Sequence, residues 1–217
     1  MSHPWTLEEV DVDGAIREQG EKVDPQTRAS FLKKAGIGVG AAVGTSAFLG
    51  SMPSVANAAF AKSDVAILNY ALTLEYLEAA FYVEAVKSNF PGNVGTFAKI
   101  VSNHETAHVK FLVSALGRAA VKKPTFDFKG TTADEAKFKA TAQVLEDTGV
   151  AAYLGQVGNI KSKQILAAAG SILPIEARHA GWIRDINGVS GAPKAFEGAK
   201  SMKAILAAVK ATGFITG

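Results

Sequence analysis

The sequence predicts an all-α protein: a four-helix bundle of two helical hairpins joined by a long crossover, with a short C-terminal helix. Two observations lead to this fold class. Four long segments carry apolar residues at helical spacing. The second pair of segments also repeats the chemistry of the first pair, at the constant offset that separates Glu75 from Glu146. The 217 residues include no cysteine, so neither disulfides nor an iron–sulfur cluster can hold this fold together.

The helices follow in order along the chain. The predicted spans are residues 63–87, 94–116, 132–158 and 162–186, with a fifth, amphipathic stretch at 199–211 packed on the bundle. Ser63 and Thr132 are the expected N-caps of the first and third helices. Pro174 lies inside the fourth span, so a kink or a break is expected one turn before Glu176.

The connections predict how the helices are arranged. The links within each pair of helices are only a few residues long, whereas residues 118–131 separate the second helix from the third. Such a segment can extend over roughly 45 Å, and a helix of this length spans roughly 37 Å. The long segment can therefore cross the whole bundle, which is the connection expected between two hairpins.

The N-terminal part of the chain is predicted to lie outside the bundle. Residues 1–27 are acidic and lack hydrophobic periodicity, so we expect a flexible leader. Residues 28–58 combine basic residues, a Gly/Ala-rich apolar run and a small-residue site at Ala56-Asn57-Ala58, as a signal peptide does. The stretch at 27–33 resembles the twin-arginine motif S/T-R-R-x-F-L-K, with Ala29 in place of the second arginine.

Three expectations follow for organisation and location. The bundle domain is expected to occupy residues 59–217, and the protein to reach the periplasm or the exterior through the export machinery. The alternative is a cytoplasmic protein, or one anchored to a membrane by an uncleaved N-terminal segment. The net charge of +3 and the absence of a basic run with interleaved aromatic residues argue against a nucleic-acid partner.

The repeat selects a set of chemically active residues. Each half reads Glu-x6-Tyr and then, thirty residues after the first Glu, Glu-x-x-His. The matched pairs are Glu75 and Glu146, Tyr82 and Tyr153, Glu105 and Glu176, and His108 and His179. Histidine and tyrosine are scarce in this chain, so four such matches at one offset are not expected by chance.

The segment His104 to His108 also reads HExxH, a zinc protease signature in which both histidines bind zinc and the glutamate is a general base. The repeat argues against that interpretation, because Ile175 stands where the second half would need the first histidine. We therefore retain Glu105-x-x-His108 and assign His104 a surface or supporting role. Glu78, one turn from Glu75, could supplement or replace that residue.

Charge predicts how many metal ions this set would hold. Residues three apart on a helix point to nearly the same side, so each Glu-x-x-His pair can grip one point. Four glutamates among apolar neighbours would be too costly to bury unless cations neutralise them. Two divalent ions balance four carboxylates, and two neutral imidazoles complete the ligands.

This pattern resembles the ferritin-like di-metal carboxylate proteins, which include bacterioferritin, rubrerythrin and manganese catalase. Their helices supply one Glu from each of two helices and Glu-x-x-His from each of the other two. The export-like leader is similar to that of a secreted bacterial subgroup. The resemblance implies that Glu105 and Glu176 bridge two metals and that Glu75, Glu146, His108 and His179 cap them. It also implies that Tyr82 and Tyr153 hydrogen-bond ligand carboxylates.

The function expected from this resemblance is di-iron chemistry with O₂ or H₂O₂, of the ferroxidase or peroxidase type. A dimanganese catalase is one alternative, because carboxylate and imidazole ligands suit both metals. A non-catalytic metal-binding or stress protein is the other. The expected partners are O₂ or peroxide, with a homodimer as the assembly.

Overall fold

The computed structural model describes residues 60–217, and the predictions for residues 1–27 and 28–58 lie outside this range. The described part is helical, and the predicted bundle of two hairpins with a C-terminal helix is confirmed. The helices are α1 (Lys62–Ala85), α2 (Gly92–Leu116), α3 (Glu135–Gln156), α4 (Lys163–Ile186) and α5 (Met202–Thr212). Among residues 60–217, no helix combines the length and the apolar character needed to cross a membrane.

Two predicted N-caps are wrong. Ala61 precedes α1, so Ser63 lies within the first turn. In α3 the cap is Asp134, whose carboxylate accepts a hydrogen bond from the Lys137 N–H at 2.8 Å. Asp is preferred to Thr as an N-cap residue.

The break predicted at Pro174 is also absent, since α4 continues through it as one helix. Proline removes the hydrogen bond to the carbonyl of the residue four positions earlier, which is Gly170. Both residues are exposed, so water can bind the freed carbonyl. Glu176 and His179 therefore keep regular helical spacing.

The packing shows two hairpins joined across the bundle. α1 lies against α2 and α3 lies against α4, while α1 also contacts α3 and α2 also contacts α4. The crossover between α2 and α3 is tied down by the C-terminal tail, through an antiparallel bridge between Phe126 and Ile215. Asp64, fully buried at the start of α1, accepts hydrogen bonds from the N–H groups of Lys161 and Ser162 just before α4.

An aromatic cluster fills one end of the core. The rings of Phe81 and Phe138 stack at 5.4 Å and join α1 to α3. Phe128 of the crossover packs edge-on against Phe81, also at 5.4 Å. Tyr82 borders the cluster, with its ring 6.0 Å from that of Phe138. This packing holds the ring of Tyr82 in place and so positions its hydroxyl group.

Candidate metal centre

The six predicted ligands meet at one place in the middle of the bundle. Each of the four helices contributes, and the residues are Glu75 from α1, Glu105 and His108 from α2, Glu146 from α3, and Glu176 and His179 from α4. All four glutamates have no exposed surface, and His179 is 2% exposed. The His108 side chain keeps 12% of its surface exposed. The fold therefore brings together all six residues that the sequence pattern predicts as metal ligands.

The first half of the cluster is centred on His108. Its Nδ1 lies 3.2 Å from Glu75 Oε2, 3.3 Å from Glu105 Oε2 and 3.2 Å from Glu176 Oε1. One ligand atom from each of these four residues lies within 4.8 Å of the others. That separation suits a single metal ion placed between them.

The second half of the cluster is centred on His179. Its Nδ1 lies 3.2 Å from both Glu105 Oε1 and Glu146 Oε2. With Glu176 these residues form another group of four whose ligand atoms lie within 4.8 Å of one another. Glu105 and Glu176 belong to both halves, and Glu105 directs one oxygen to each histidine.

The cluster passes a test for metal binding that does not depend on the sequence pattern. Glu105 Oε1, Glu146 Oε2, both oxygens of Glu176 and His179 Nδ1 are buried without a hydrogen-bond partner. His179 Nδ1 approaches two carboxylates at 3.2 Å without the alignment of a hydrogen bond. Buried polar atoms are normally satisfied. Orphan oxygen and nitrogen atoms that converge on the same space are the donor set that a hard or borderline divalent ion takes.

Two tyrosines donate hydrogen bonds across the bundle to carboxylates of the cluster. Tyr153 of α3 donates a hydrogen bond to Glu75 Oε1 of α1 at 2.5 Å. Tyr82 of α1 donates a short hydrogen bond to Glu146 Oε1 of α3. Each tyrosine therefore fixes a glutamate of the opposite hairpin, and the second oxygen of each glutamate stays directed at the centre.

Without metal, the cluster perturbs the acidity of its own members. Burial and neighbouring carboxylates raise the pKa of Glu176 well above its ordinary value. Burial raises the pKa of Glu75 to about 7, against the opposing charge of His108. Burial alone would lower the pKa of His179, but contacts with Glu105 and Glu146 raise it to about 10. The metal-free cluster therefore retains protons that metal ions would have to displace.

A fifth glutamate, Glu78, also reaches the cluster. It is 4% exposed, and burial together with the charges of Glu176, Glu146 and other carboxylates raises its pKa well above its ordinary value. Its repeat counterpart is Gly149. A Cβ atom at Gly149 would lie 2.8 Å from Glu176 Oε2 and 3.3 Å from Glu78 Oε1. Because Gly149 has no side chain, α3 leaves space here for the carboxylates of Glu176 and Glu78.

His104 supports the centre from outside the carboxylate cluster. Its Nδ1 lies 2.9 Å from Nε2 of His179, and the two rings are nearly parallel, with centroids 5.1 Å apart and 17° between planes. His104 faces the outer side of His179, so the zinc protease arrangement of two histidines on one metal does not form. The repeat did not indicate this contact, because only one half has the residue.

An apolar cavity lies on the side of Tyr153 within the bundle. Its volume is about 20 Å³, which is room for one small molecule. Leu74 and Tyr153 line it, and the hydroxyl of Tyr70, another lining residue, is buried without a partner. Tyr153 therefore links this apolar space to the cluster, because its hydroxyl donates a hydrogen bond to Glu75 Oε1.

Fold and site together define an all-helical protein with a buried carboxylate and histidine cluster able to hold metal. Comparison with known families gives a match to the ferritin-like domain over residues 63–189, which is more than half of the chain. The chain belongs to the ferritin-like family. No curated protein matches the sequence. The match covers the four long helices, apart from the first residue of α1, and every candidate ligand.

Proposed function

We propose that this protein binds two metal ions, both iron, and uses them in reactions with O₂ or H₂O₂ of the ferroxidase or peroxidase type. The observation that carries the proposal is the pair of four-residue groups that share Glu105 and Glu176. In this arrangement the two shared glutamates would contribute to both metal positions. Glu75 and His108 would hold one ion, and Glu146 and His179 the other.

Charge supports two ions in preference to one. Five carboxylates are buried at or beside the cluster, and one divalent ion would leave most of their charge uncompensated. Two ions neutralise the four shared and capping glutamates. Glu78 is then the remaining carboxyl group. In the metal-free protein, burial and the neighbouring carboxylates raise its pKa well above its ordinary value.

The residues around the ions would provide a dry and ordered site. A redox-active metal pair supplies electrons for the reduction of O₂ or H₂O₂. Tyr82 and Tyr153 hold Glu146 and Glu75 in place through their hydroxyl groups, as ligand-orienting partners do in metal sites. The apolar cavity beside Tyr153 offers space for a small apolar reactant such as O₂.

The proposal is tested by metal analysis of the protein isolated from its native host. Two iron atoms per chain are expected, and oxygen uptake should follow anaerobic loading with Fe(II) and exposure to air. Zinc alone, at one atom per chain, would contradict the proposal. Manganese with rapid gas evolution from H₂O₂ would indicate a catalase instead. Bound iron without oxygen uptake or peroxide consumption would indicate a structural metal site.

We also propose export of the protein through a twin-arginine-like signal. The support is the order of basic residues, apolar run and small-residue site in residues 28–58. Cleavage after Ala58 would give a mature chain that starts at Ala59, close to the first described helix. Sequencing the N-terminus of the native protein tests this: a chain that still begins at Met1 contradicts cleavage.

A further inference from the structure

The strongest feature that the proposed function leaves unused is the contact between His104 and His179. His104 precedes Glu105 on α2 and lies part-buried, while His179 on α4 is 2% exposed. The rings are nearly parallel, and the Nδ1 to Nε2 distance of 2.9 Å is that of a good hydrogen bond. Both geometry and burial restrict His179 to one ring orientation.

The direction of the hydrogen bond follows from the other nitrogen of His179. Its Nδ1 faces Glu105 and Glu146, where the proposed metal would bind. A neutral imidazole that binds metal through Nδ1 carries its hydrogen on Nε2. His179 Nε2 is therefore the donor and His104 Nδ1 the acceptor, which leaves the hydrogen of His104 on its own Nε2. This assignment rests on the contacts of His179 Nδ1, His179 Nε2 and His104 Nδ1.

Within residues 60–217, the other proposed metal position lacks this support. His108 occupies the equivalent place in the first half, and its Nδ1 also faces carboxylates. The repeat counterpart of His104 is Ile175, which cannot accept a hydrogen bond. The His108 side chain is 12% exposed, whereas that of His179 is 3% exposed. One histidine ligand is thus oriented by protein and the other borders solvent.

We infer that His104 is a positioning residue for one metal position only, and that it makes the two positions unequal in affinity. The inference rests on the proposed dinuclear site. A partner that accepts a hydrogen bond from a ligating histidine fixes its ring and makes it a better ligand, and loss of such a partner typically costs about 10- to 100-fold in metal affinity. The position held by His179 is accordingly the tighter one and fills first.

The experiment is an anaerobic Co(II) titration of the full chain at constant pH, followed by absorption. Wild type should bind two Co(II) ions in two resolved steps. His104→Phe keeps a flat ring against His179 but removes the acceptor, and it should weaken the tighter step about 10- to 100-fold and leave the other unchanged. His104→Asn places an acceptor oxygen near the original Nδ1 and should restore most of the affinity. Exposed Asn103 provides the matched control, Asn103→Ala.

A gain-of-function variant tests the asymmetry itself. Ile175→His puts an imidazole on α4 at the repeat counterpart of His104. There it would accept a hydrogen bond from His108, as His104 does from His179. It should tighten the weaker Co(II) step and bring the two steps together. An unchanged weaker step in the folded variant would contradict the inferred equivalence.

Proton NMR of wild type loaded with Zn(II) gives a readout that needs no variant. The Nε2–H of His179 should appear as a slowly exchanging resonance because it is hydrogen-bonded to His104, whereas that of His108 should exchange quickly with water. Absence of the His179 resonance would overturn the inference, as would equal weakening of both Co(II) steps in His104→Phe. If wild type bound no Co(II) at all, the dinuclear site itself would be wrong.

Discussion

Gly149 provides a perturbation whose effects on stability and on metal binding should have opposite signs. It lies inside α3, and its backbone faces the carboxylates of Glu176 and Glu78. In Gly149→Ala the new methyl group would meet Glu176 Oε2 at 2.8 Å. Atoms do not approach a Cβ so closely, so the carboxylate must retreat by several tenths of an ångström.

The two effects can be estimated separately. Alanine is favoured over glycine in a helix interior by about 1 kcal/mol, and the carboxylate ends of the metal-free protein can turn aside at little cost. The metal-free variant should therefore be slightly more stable than wild type. A metal–oxygen distance, however, is fixed to within about 0.2 Å. Displacement of Glu176 should thus weaken metal binding at least about tenfold, or about 1.4 kcal/mol.

The assay is thermal unfolding without metal and with saturating Co(II), combined with Co(II) titration in the presence of a competing chelator. Gly170→Ala is the matched control, because Gly170 lies in the exposed part of α4 with open space around it. The control should gain metal-free stability and keep wild-type affinity. Wild-type Co(II) affinity in Gly149→Ala would refute the placement of Glu176 as a ligand.

Three further predictions concern the centre. Glu105→Ala should abolish binding of both metals, because each histidine faces one of the Glu105 oxygens. Retention of one ion at full affinity would contradict this. Glu197→Ala, at an exposed position, is the control for loss of a charge. Tyr153→Phe should lower the free energy of unfolding by about 1–3 kcal/mol, because Glu75 Oε1 loses its donor, and an unchanged denaturation midpoint would argue against that bond. The folded metal-free protein holds extra protons on Glu75 between pH 4.5 and about 7 and on His179 between 6.5 and about 10, so its melting temperature should fall as pH rises through these ranges. The stabilisation conferred by Co(II) should instead grow, since bound metal replaces those protons; a metal-free melting temperature that rises from pH 5 to 9 would contradict the shifts.

The sequence was sufficient to predict the helices and the cluster, because two kinds of periodicity coincide in it. Apolar spacing gives the helices, and the repeat shows which polar residues interrupt the apolar faces. Glu105 and His108 could be placed together because three positions along a helix is a local distance. Their meeting with Glu176 and His179 followed from the pairing of hairpins, which the long crossover indicates.

The parts of the site that the sequence left open arise from differences between the two halves. From the sequence, His104 is expected in a surface or supporting role and Glu78 as a supplement to or replacement for Glu75. Neither has a matching residue in the other half of the repeat, so their contacts at the centre could not be predicted. Their roles depend on which residue of the other hairpin they face, and this is a tertiary property. The N-caps at Ala61 and Asp134 were missed for a different reason, because several adjacent residues near each helix start can serve as its boundary.

The crossed contacts of the tyrosines bear on how such a centre can arise. Each proposed metal position takes three residues from one hairpin and one from the other, and each tyrosine holds a glutamate that belongs to the other hairpin. A single hairpin is therefore an incomplete binding unit, but two identical hairpins related by a twofold axis would satisfy every shared contact. Duplication and fusion of such a unit would produce this chain. After fusion the two halves can also differ in sequence. Glu78 can then occupy space opposite Gly149, and His104 can support one metal position only.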